Sequence, residues 1–175
     1  MFRADSHGKR VGVQFRIPEY ARDFRIILNG RSIPFIMRRE GYALVERVWY
    51  GDERLEIVFG CPIRVMCANP RVRADVGRVA ITKGPLVYCA EGIDNGGSVD
   101  FEVAESPELC EDGERIVGRR ADGEKFTLVP FAKRCNRGSA DNADRRMSVW
   151  LRQEKMPSEK ELEVMVGSEL YSELK

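Results

Sequence analysis

Hydrophobic and polar residues alternate along much of the chain, which is the pattern expected of strands with one buried face. Residues 11–17 show it first, and their apolar members share one face: Val11, Val13, Phe15 and Ile17. Two more apolar runs, residues 24–28 and 31–37, flank Asn29 and Gly30. Because both of these turn residues tolerate positive φ, the N-terminal region predicts a strand followed by a β-hairpin.

A second hairpin is predicted further along the same region. Residues 42–49 and 55–59 are strand-like, and they flank the turn residues 50–53, which contain Gly and Asp. Residues 63–66 extend or follow the second of these strands.

The alternating pattern breaks at Asn69 and Pro70, and the polar segment 71–75 that follows is too short to predict a regular element. We place a domain boundary here. Beyond it, short apolar runs continue with Gly, Pro or Asn between them. They are residues 78–81, 86–90, 101–103, 115–117, 126–131 and 147–151.

Only the C-terminal tail changes to a helical period. Ser158 and Glu161 have the spacing of a capping box, and Leu162, Met165 and Val166 follow at helical spacing. The sequence therefore predicts an all-β fold of antiparallel, jelly-roll-like β-sandwich modules with a short C-terminal helix. The predicted parts are a partial first β-sandwich, a second β-sandwich and a helical tail, at residues 1–72, 73–155 and 156–175.

Composition restricts the function more than the fold. The 175 residues carry 29 Lys and Arg against 28 Asp and Glu, a formal net charge of +1. No overall field attracts nucleic acid or an acidic membrane, so we expect neither as a partner. His7 is the only histidine. A Ser-His-Asp triad or a histidine-rich zinc centre would have to use this one residue, which argues against both.

The chain has five cysteines and no C-x-x-C motif: Cys61, Cys67, Cys89, Cys110 and Cys135. An odd number of unpatterned cysteines is typical of reduced thiols, and Cys89 lies in an apolar run that predicts a core position. No apolar leader precedes the first strand, and no window is apolar enough to span a bilayer. These features predict a cytoplasmic location.

Aromatic residues are the remaining candidates for ligand contact. Trp49, Tyr50 and Trp150 would stack on a carbohydrate if they lay on an exposed face. Packing in the core is the alternative for all three. Neighbouring carboxylates occur throughout a chain with 28 acidic residues, so they single out no acid/base pair. The residues alone thus predict no catalytic residue, no metal ligand and no cofactor.

Several segments resemble the C-terminal part of glycoside hydrolase family 127, the β-L-arabinofuranosidase-like family that was formerly a domain of unknown function. The longest, residues 69–95, reads NPRVRADVGRVAITKGPLVYCAEGIDN. Shorter segments occur in the family's order: FRIPEYA at 15–21, LNG at 28–30, LVPFA at 128–132, NRG at 136–138 and MSVWL at 147–151.

The resemblance implies the following organisation for full-length members. An (α/α)6 barrel carries a cysteine nucleophile and a zinc ion, which is held by a glutamate and cysteines. The β-sandwich domains follow this barrel. No segment of this chain resembles the barrel, so no catalytic or zinc-binding residue is transferred. Cys89 matches a cysteine of the sandwich motif. Tyr20 stands where the family usually has tryptophan, and Arg134 stands where an aromatic residue is common.

The resemblance implies a non-catalytic accessory or structural module that packs against a catalytic (α/α)6 barrel. Two alternatives remain: a stand-alone module that binds arabinose-containing carbohydrate, and a part of a glycosidase completed by a separately encoded barrel. Relatives have further strands before the first segment, so the first sandwich is expected to lack part of a sheet. Because an unpaired sheet edge can pair with a second copy of the chain, we also expect a homo-oligomer.

Overall fold

The computed structural model describes residues 5–134 and 146–174. The chain divides into two compact units, Met1–Pro62 and Ile63–Lys175, which we call the N-terminal unit and the C-terminal unit. Both are built from strands with mostly antiparallel pairing, so the predicted all-β fold is confirmed. Within the described ranges, no helix has the length and apolarity that crossing a membrane requires.

The N-terminal unit contains two small sheets that enclose one core. Its strands are β1 (Arg10–Arg16), β2 (Arg22–Leu28), β3 (Arg31–Ser32), β4 (Ile36–Arg38), β5 (Tyr42–Val48) and β6 (Leu55–Gly60). One sheet has the order β1-β5-β4 and the other β3-β2-β6, and all pairs are antiparallel. The fully buried residues come from both sheets and their connections: Ile17, Ile26, Leu28, Ala43, Val45 and Trp49.

The first predicted hairpin is confirmed. Asn29 and Gly30 have φ values of 48° and 80°, and β2 pairs with β3 across them. The strand after this turn is shorter than predicted, because the chain leaves the sheet after Ser32 and resumes as β4 in the other sheet. Pro34 lies in this crossing, where its missing N–H costs no ladder hydrogen bond.

The second predicted hairpin is wrong. Strand β5 pairs with β1 and β4, whereas β6 pairs with β2, so the connection between them joins the two sheets. Glu53 stabilises this connection, because its carboxylate accepts hydrogen bonds from the Tyr50 N–H at 3.0 Å and from Arg47 Nη2 at 2.6 Å. A turn between two alternating runs predicts a reversal of the chain, but it does not specify which strands pair.

The C-terminal unit contains ten strands, one α-helix and three short 3-10 helices (Arg73–Asp75, Gly92–Asp94 and Phe131–Lys133) within the described residues. The strands and the α-helix are β7 (Ile63–Ala68), β8 (Arg78–Lys83), β9 (Leu86–Glu91), β10 (Glu102–Val103), β11 (Cys110–Asp112), β12 (Arg115–Arg119), β13 (Lys125–Pro130), β14 (Met147–Ser148), β15 (Trp150–Gln153), α1 (Glu159–Val166) and β16 (Tyr171–Glu173).

The β8–β9 hairpin connects the two layers of this unit. The two strands pair only beside their turn, at Thr82 with Val87 and at Lys83 with Leu86. Beyond that point β8 lies in the layer β10-β15-β8-β7-β16, and β9 lies in the layer β11-β12-β13-β9-β14. Only the short β10–β15 pair is parallel among these. The core between the layers includes the stacked rings of Phe101 and Phe126, whose centroids are 5.4 Å apart.

The division between the units lies before the boundary predicted after residue 72. Strand β7, which the sequence assigned to the first domain, pairs with β8 along its length. The break at Asn69 and Pro70 is therefore a connection within one sheet. Asn69 is buried there, and its side-chain amide donates to the Glu169 carbonyl at 3.1 Å. The polar break is a turn in which a buried side-chain amide has its hydrogen-bond partner. In the sequence pattern alone, this segment resembles a linker.

The tail also packs on the C-terminal unit. Helix α1 begins with the predicted capping box, in which the Ser158 hydroxyl accepts from the Glu161 N–H at 3.4 Å and the Glu161 carboxylate accepts from the Ser158 N–H at 2.8 Å. Leu162 and Val166 bury their side chains beside Cys67. The tail then adds β16 to the sheet edge at β7, an element that the sequence did not predict.

Candidate functional site

Trp49, the first of the predicted contact residues, lies in the core of the N-terminal unit. Only 7% of it is exposed. Its indole N–H donates to the Val11 carbonyl at 2.9 Å, and its backbone N–H donates to the Ser6 hydroxyl at 2.9 Å. These contacts fix Trp49 as a packing residue and leave little of its ring for a ligand.

Tyr50, the second of them, is 57% exposed and lies at a cleft of about 260 Å³. The side chains of Arg47 and Glu53 form an ion pair at 2.6 Å, and that of Glu53 is only 11% exposed. Most of the lining is apolar: Val13, Phe15, Leu28, Trp49, Tyr50, Glu53 and Leu55. Because the one carboxylate in the lining is already paired, the cleft offers an apolar surface with few groups for sugar hydroxyls.

Trp150, the third, lies in β15 on the outer face of the C-terminal unit. Its neighbour Leu151 points into the core, so alternation directs Trp150 outward. The ring of Tyr171 in β16 lies beside it, with centroids 5.5 Å apart and planes at 31°. Tyr171 is 45% exposed. The two rings lie on one face of the sheet, and we call Trp150 and Tyr171 the aromatic pair below.

Two alanines lie in the strands between the two aromatic residues. Ala80 pairs with Trp150, and Ala68 pairs with Tyr171. Both alternate with core residues and so face outward, yet they are only 5% and 4% exposed. Larger neighbours on the same face therefore cover them. Small side chains in the two central strands let the rings from the flanking strands approach each other across the sheet.

Polar side chains surround the aromatic pair on the same face. Arg78 donates from Nη1 to the Trp150 carbonyl at 3.3 Å. Arg64 and Thr82 are directly opposite each other in the β7–β8 register. The buried Nε atom of Arg64 and the buried hydroxyl of Thr82 have no hydrogen-bond partner within the part of the chain that the structure describes. The face thus combines aromatic surface with unused hydrogen-bonding capacity.

The cysteines do not converge on a metal site in the described residues. Cys61, Cys67 and Cys110 are free thiols, and no group of three metal-ligating side chains occurs in those ranges. Burial raises the pKa of the Cys67 thiol, which disfavours its thiolate. Cys135 and the NRG segment at 136–138 lie outside the described residues.

The fold and these surfaces define a protein of two β-sandwich units. Two family profiles match it in the same division: "Beta-L-arabinofuranosidase, GH127 middle domain" at residues 2–61 and "Glycoside hydrolase family 127 C-terminal domain" at residues 63–152. The chain belongs to glycoside hydrolase family 127. Of the aromatic pair, Trp150 lies inside the second matched region, whereas Tyr171 lies beyond it.

Individual relatives agree with this assignment. A non-reducing end β-L-arabinofuranosidase of Bifidobacterium longum subsp. longum is 38% identical over 99 residues, which are 55% of this chain and 15% of that protein. A GH127 β-L-arabinofuranosidase from Geobacillus stearothermophilus T6 is similar in structure, with a TM-score of 0.72 at 26% identity over 83% of this chain and 27% of that one. The chain thus spans a minor part of the relatives that it matches.

A second solved structure supports the fold alone. A GH127 β-arabinofuranosidase has a TM-score of 0.63 at 24% identity, and the alignment covers 83% of this chain and 28% of the other.

Tyr171 is the residue of the aromatic pair that the sequence reasoning missed. The tail was predicted to be helical throughout, whereas the short run from Tyr171 to Leu174 is extended and pairs with β7. A period-two pattern over so few residues is a weak signal beside a capping box. The clue was the alternation of Tyr171 and Glu173 with Ser172 and Leu174 after the glycine that ends α1.

Proposed function

We propose that this chain is a non-catalytic accessory module that packs against a catalytic (α/α)6 barrel, as in a glycosidase of family 127. The observation that carries the proposal is the restriction of both family matches to middle and C-terminal domains. The chain corresponds to only 15% of the arabinofuranosidase to which it is 38% identical. In the family, a catalytic barrel stands beside these domains.

The N-terminal unit supplies the surface for this contact. Strands β1 and β6 are edge strands, and the apolar cleft between them is lined by Val13, Phe15 and Leu55. Val11, on the same face of β1, is 44% exposed. Half-exposed apolar side chains at an unpaired edge are typical of surfaces that another segment covers.

The barrel is the proposed partner, whether it is part of the same polypeptide or separately encoded, and a second copy of this chain is the alternative occupant of the same edge. The proposal requires no cofactor, nucleic acid or membrane. We further propose a cytoplasmic location, which the free thiols of Cys61, Cys67 and Cys110 support.

Complementation tests the accessory role. The Bifidobacterium arabinofuranosidase is shortened by the residues that match this chain, and this chain is added back with zinc and an aryl β-L-arabinofuranoside. We expect no turnover by this chain alone, low turnover by the shortened enzyme and a several-fold increase when the two are mixed. Light scattering of each species shows whether the chain associates with itself or with the barrel.

A matched pair of variants locates the contact. Val11→Asp places a charge on the proposed surface, whereas Val164→Asp places the same charge on a residue of α1 that is 86% exposed. Only Val11→Asp should reduce complementation. Turnover by the isolated chain that disappears in Cys61→Ser or Cys67→Ser would show that the chain is itself a hydrolase and would overturn the proposal.

A further inference from the structure

We propose that the outer face of the C-terminal unit binds a neutral oligosaccharide, with Trp150 and Tyr171 as its stacking surface. The proposal goes beyond the accessory role and does not depend on it, because it concerns a different unit and different residues. It also selects among the predicted contact residues: Trp150 belongs to this surface, and Trp49 and Tyr50 do not.

The first observation is the direction of the aromatic pair. Trp150 and Leu151 are neighbours in β15, and Leu151 is 1% exposed in the core. Trp150 therefore lies on the opposite face, where it contacts the ring of Tyr171 instead of the core. A tryptophan and a tyrosine on an outer sheet face present apolar ring surface to solvent, which is the surface that the C–H groups of a sugar ring cover.

The second observation is the shape of the face. The outward positions between the rings include Ala68 and Ala80, whose small side chains let the rings of Trp150 and Tyr171 meet, and Met66 lies opposite Ala80 on the same face. The ring planes differ by only 31°. The two rings thus lie in direct contact with each other on this face.

The third observation is the polar border. Arg64 and Thr82 lie on the same face, two positions along their strands from Met66 and Ala80, and each has a buried polar atom without a partner among the described residues. Arg78 contacts the Trp150 carbonyl through one guanidinium nitrogen, which leaves other N–H groups for a ligand. Donors beside an aromatic surface match the hydroxyls around a sugar ring.

The charges on this face favour a neutral ligand over a polyanion. Arg152, which alternates with Trp150 on the outer face, is paired with Asp100 at 3.1 Å and with Glu102 at 3.9 Å. These carboxylates would repel phosphates. Single-stranded nucleic acids require a continuous positive groove beside stacking residues, and this face does not have one in the described residues.

Tyr171 comes from the tail, which lies beyond the family match at residues 63–152. Helix α1 and strand β16 bring it to the sheet, where the side-chain amide of Asn69 holds the approach to β16 by donating to the Glu169 carbonyl at 3.1 Å. Pairing of β16 with β7 then fixes Tyr171 opposite Ala68. The proposed site is therefore assembled by a segment that the family match does not include.

Affinity electrophoresis and calorimetry test the site, with branched arabinan, xylan and dextran as soluble neutral probes. We expect at least one probe to retard the native chain. Trp150→Ala and Tyr171→Ala should each weaken that binding about tenfold, in keeping with the loss of one stacking ring. Tyr50→Ala is the matched control, since it removes a ring of similar exposure from the other unit, and it should change the affinity less than twofold.

Circular dichroism and thermal unfolding show whether each variant is folded. If Trp150→Ala unfolds the C-terminal unit, Tyr171→Ala decides the question, because its side chain is nearly half exposed and its removal leaves the β16 backbone in place. Unchanged mobility of the native chain with all three probes would overturn the proposal. A loss of binding in Tyr50→Ala but not in Tyr171→Ala would overturn it as well.

Discussion

The two units differ in how completely each buries its own hydrophobic residues. Among the described residues, the core of the C-terminal unit has ten buried members and six partly buried ones. In the N-terminal unit, partly buried members outnumber buried ones, nine to six. Within those residues, the C-terminal unit encloses its core with two five-stranded layers and a helix, whereas the N-terminal unit has only two three-stranded sheets.

This difference in core burial indicates that the two units obtain their stability in different ways. The C-terminal unit obtains its stability from contacts within itself, since large side chains such as Phe126 and Leu128 are about 1% exposed. The N-terminal unit leaves Phe15, Leu55 and other apolar side chains half covered, so part of their burial energy is available only when a partner covers them. The proposed contact with a barrel would cover these side chains.

The strongest test of the comparison is a pair of phenylalanine truncations. Phe126→Ala should lower the free energy of unfolding of the C-terminal unit by about 3–5 kcal/mol, because it leaves a cavity beside Phe101. Phe15→Ala should lower that of the N-terminal unit by about 1–2 kcal/mol, because the Phe15 ring is only half removed from water. Urea unfolding followed by circular dichroism measures both. Equal losses would contradict the difference in core closure.

Local signals in the sequence predicted local structure well. The Asn29 and Gly30 turn and the Ser158 capping box are both present, because each depends on residues a few positions apart. Strand partners were predicted less well. The runs at residues 42–49 and 55–59 look like a hairpin, yet they belong to different sheets, because the first pairs with β1 and β4 and the second with β2.

The candidate site shows the same limit. Trp49 and Trp150 both lie at strand-like positions in the sequence, and nothing in the local pattern distinguishes the buried one from the outward one. The distinction comes from which face of each sheet meets the core, and this depends on strands distant in sequence. Tyr171 was missed for the same reason, since its strand exists only through pairing with β7.

A smaller effect is expected at the turn that connects the two layers of the C-terminal unit. Gly84 has φ of 54°, in the left-handed region that disfavours β-branched side chains. Gly84→Val should therefore cost about 1–3 kcal/mol, measured as a lower urea midpoint. Gly51→Ala is the control, because an added Cβ there meets no atom closer than 3.8 Å and φ is not positive. Similar midpoints for both variants would show that the Gly84 conformation is not required.

The smallest effect is expected at the cap of α1. Ser158→Ala removes the hydroxyl that accepts the Glu161 N–H, and it should cost about 1 kcal/mol. The loss should be confined to the tail, so amide hydrogen exchange in α1 and β16 is the suitable measurement. Accelerated exchange throughout β12 and β13 instead would show that the tail is integral to the core of the C-terminal unit.

The same cap makes the tail sensitive to acid. Hydrogen bonds from the Ser158 hydroxyl and then from its backbone N–H lower the pKa of Glu161 below its ordinary value. A carboxyl whose pKa is lower in the folded state stabilises that state above the ordinary glutamate value, and the contribution is lost as the pH falls through the folded-state pKa. The protection factors of the α1 amides should therefore fall on acidification in the native chain, beyond the change in Glu161→Gln, whose amide does not titrate. An identical pH profile in the two proteins would show that the Glu161 charge does not stabilise the tail.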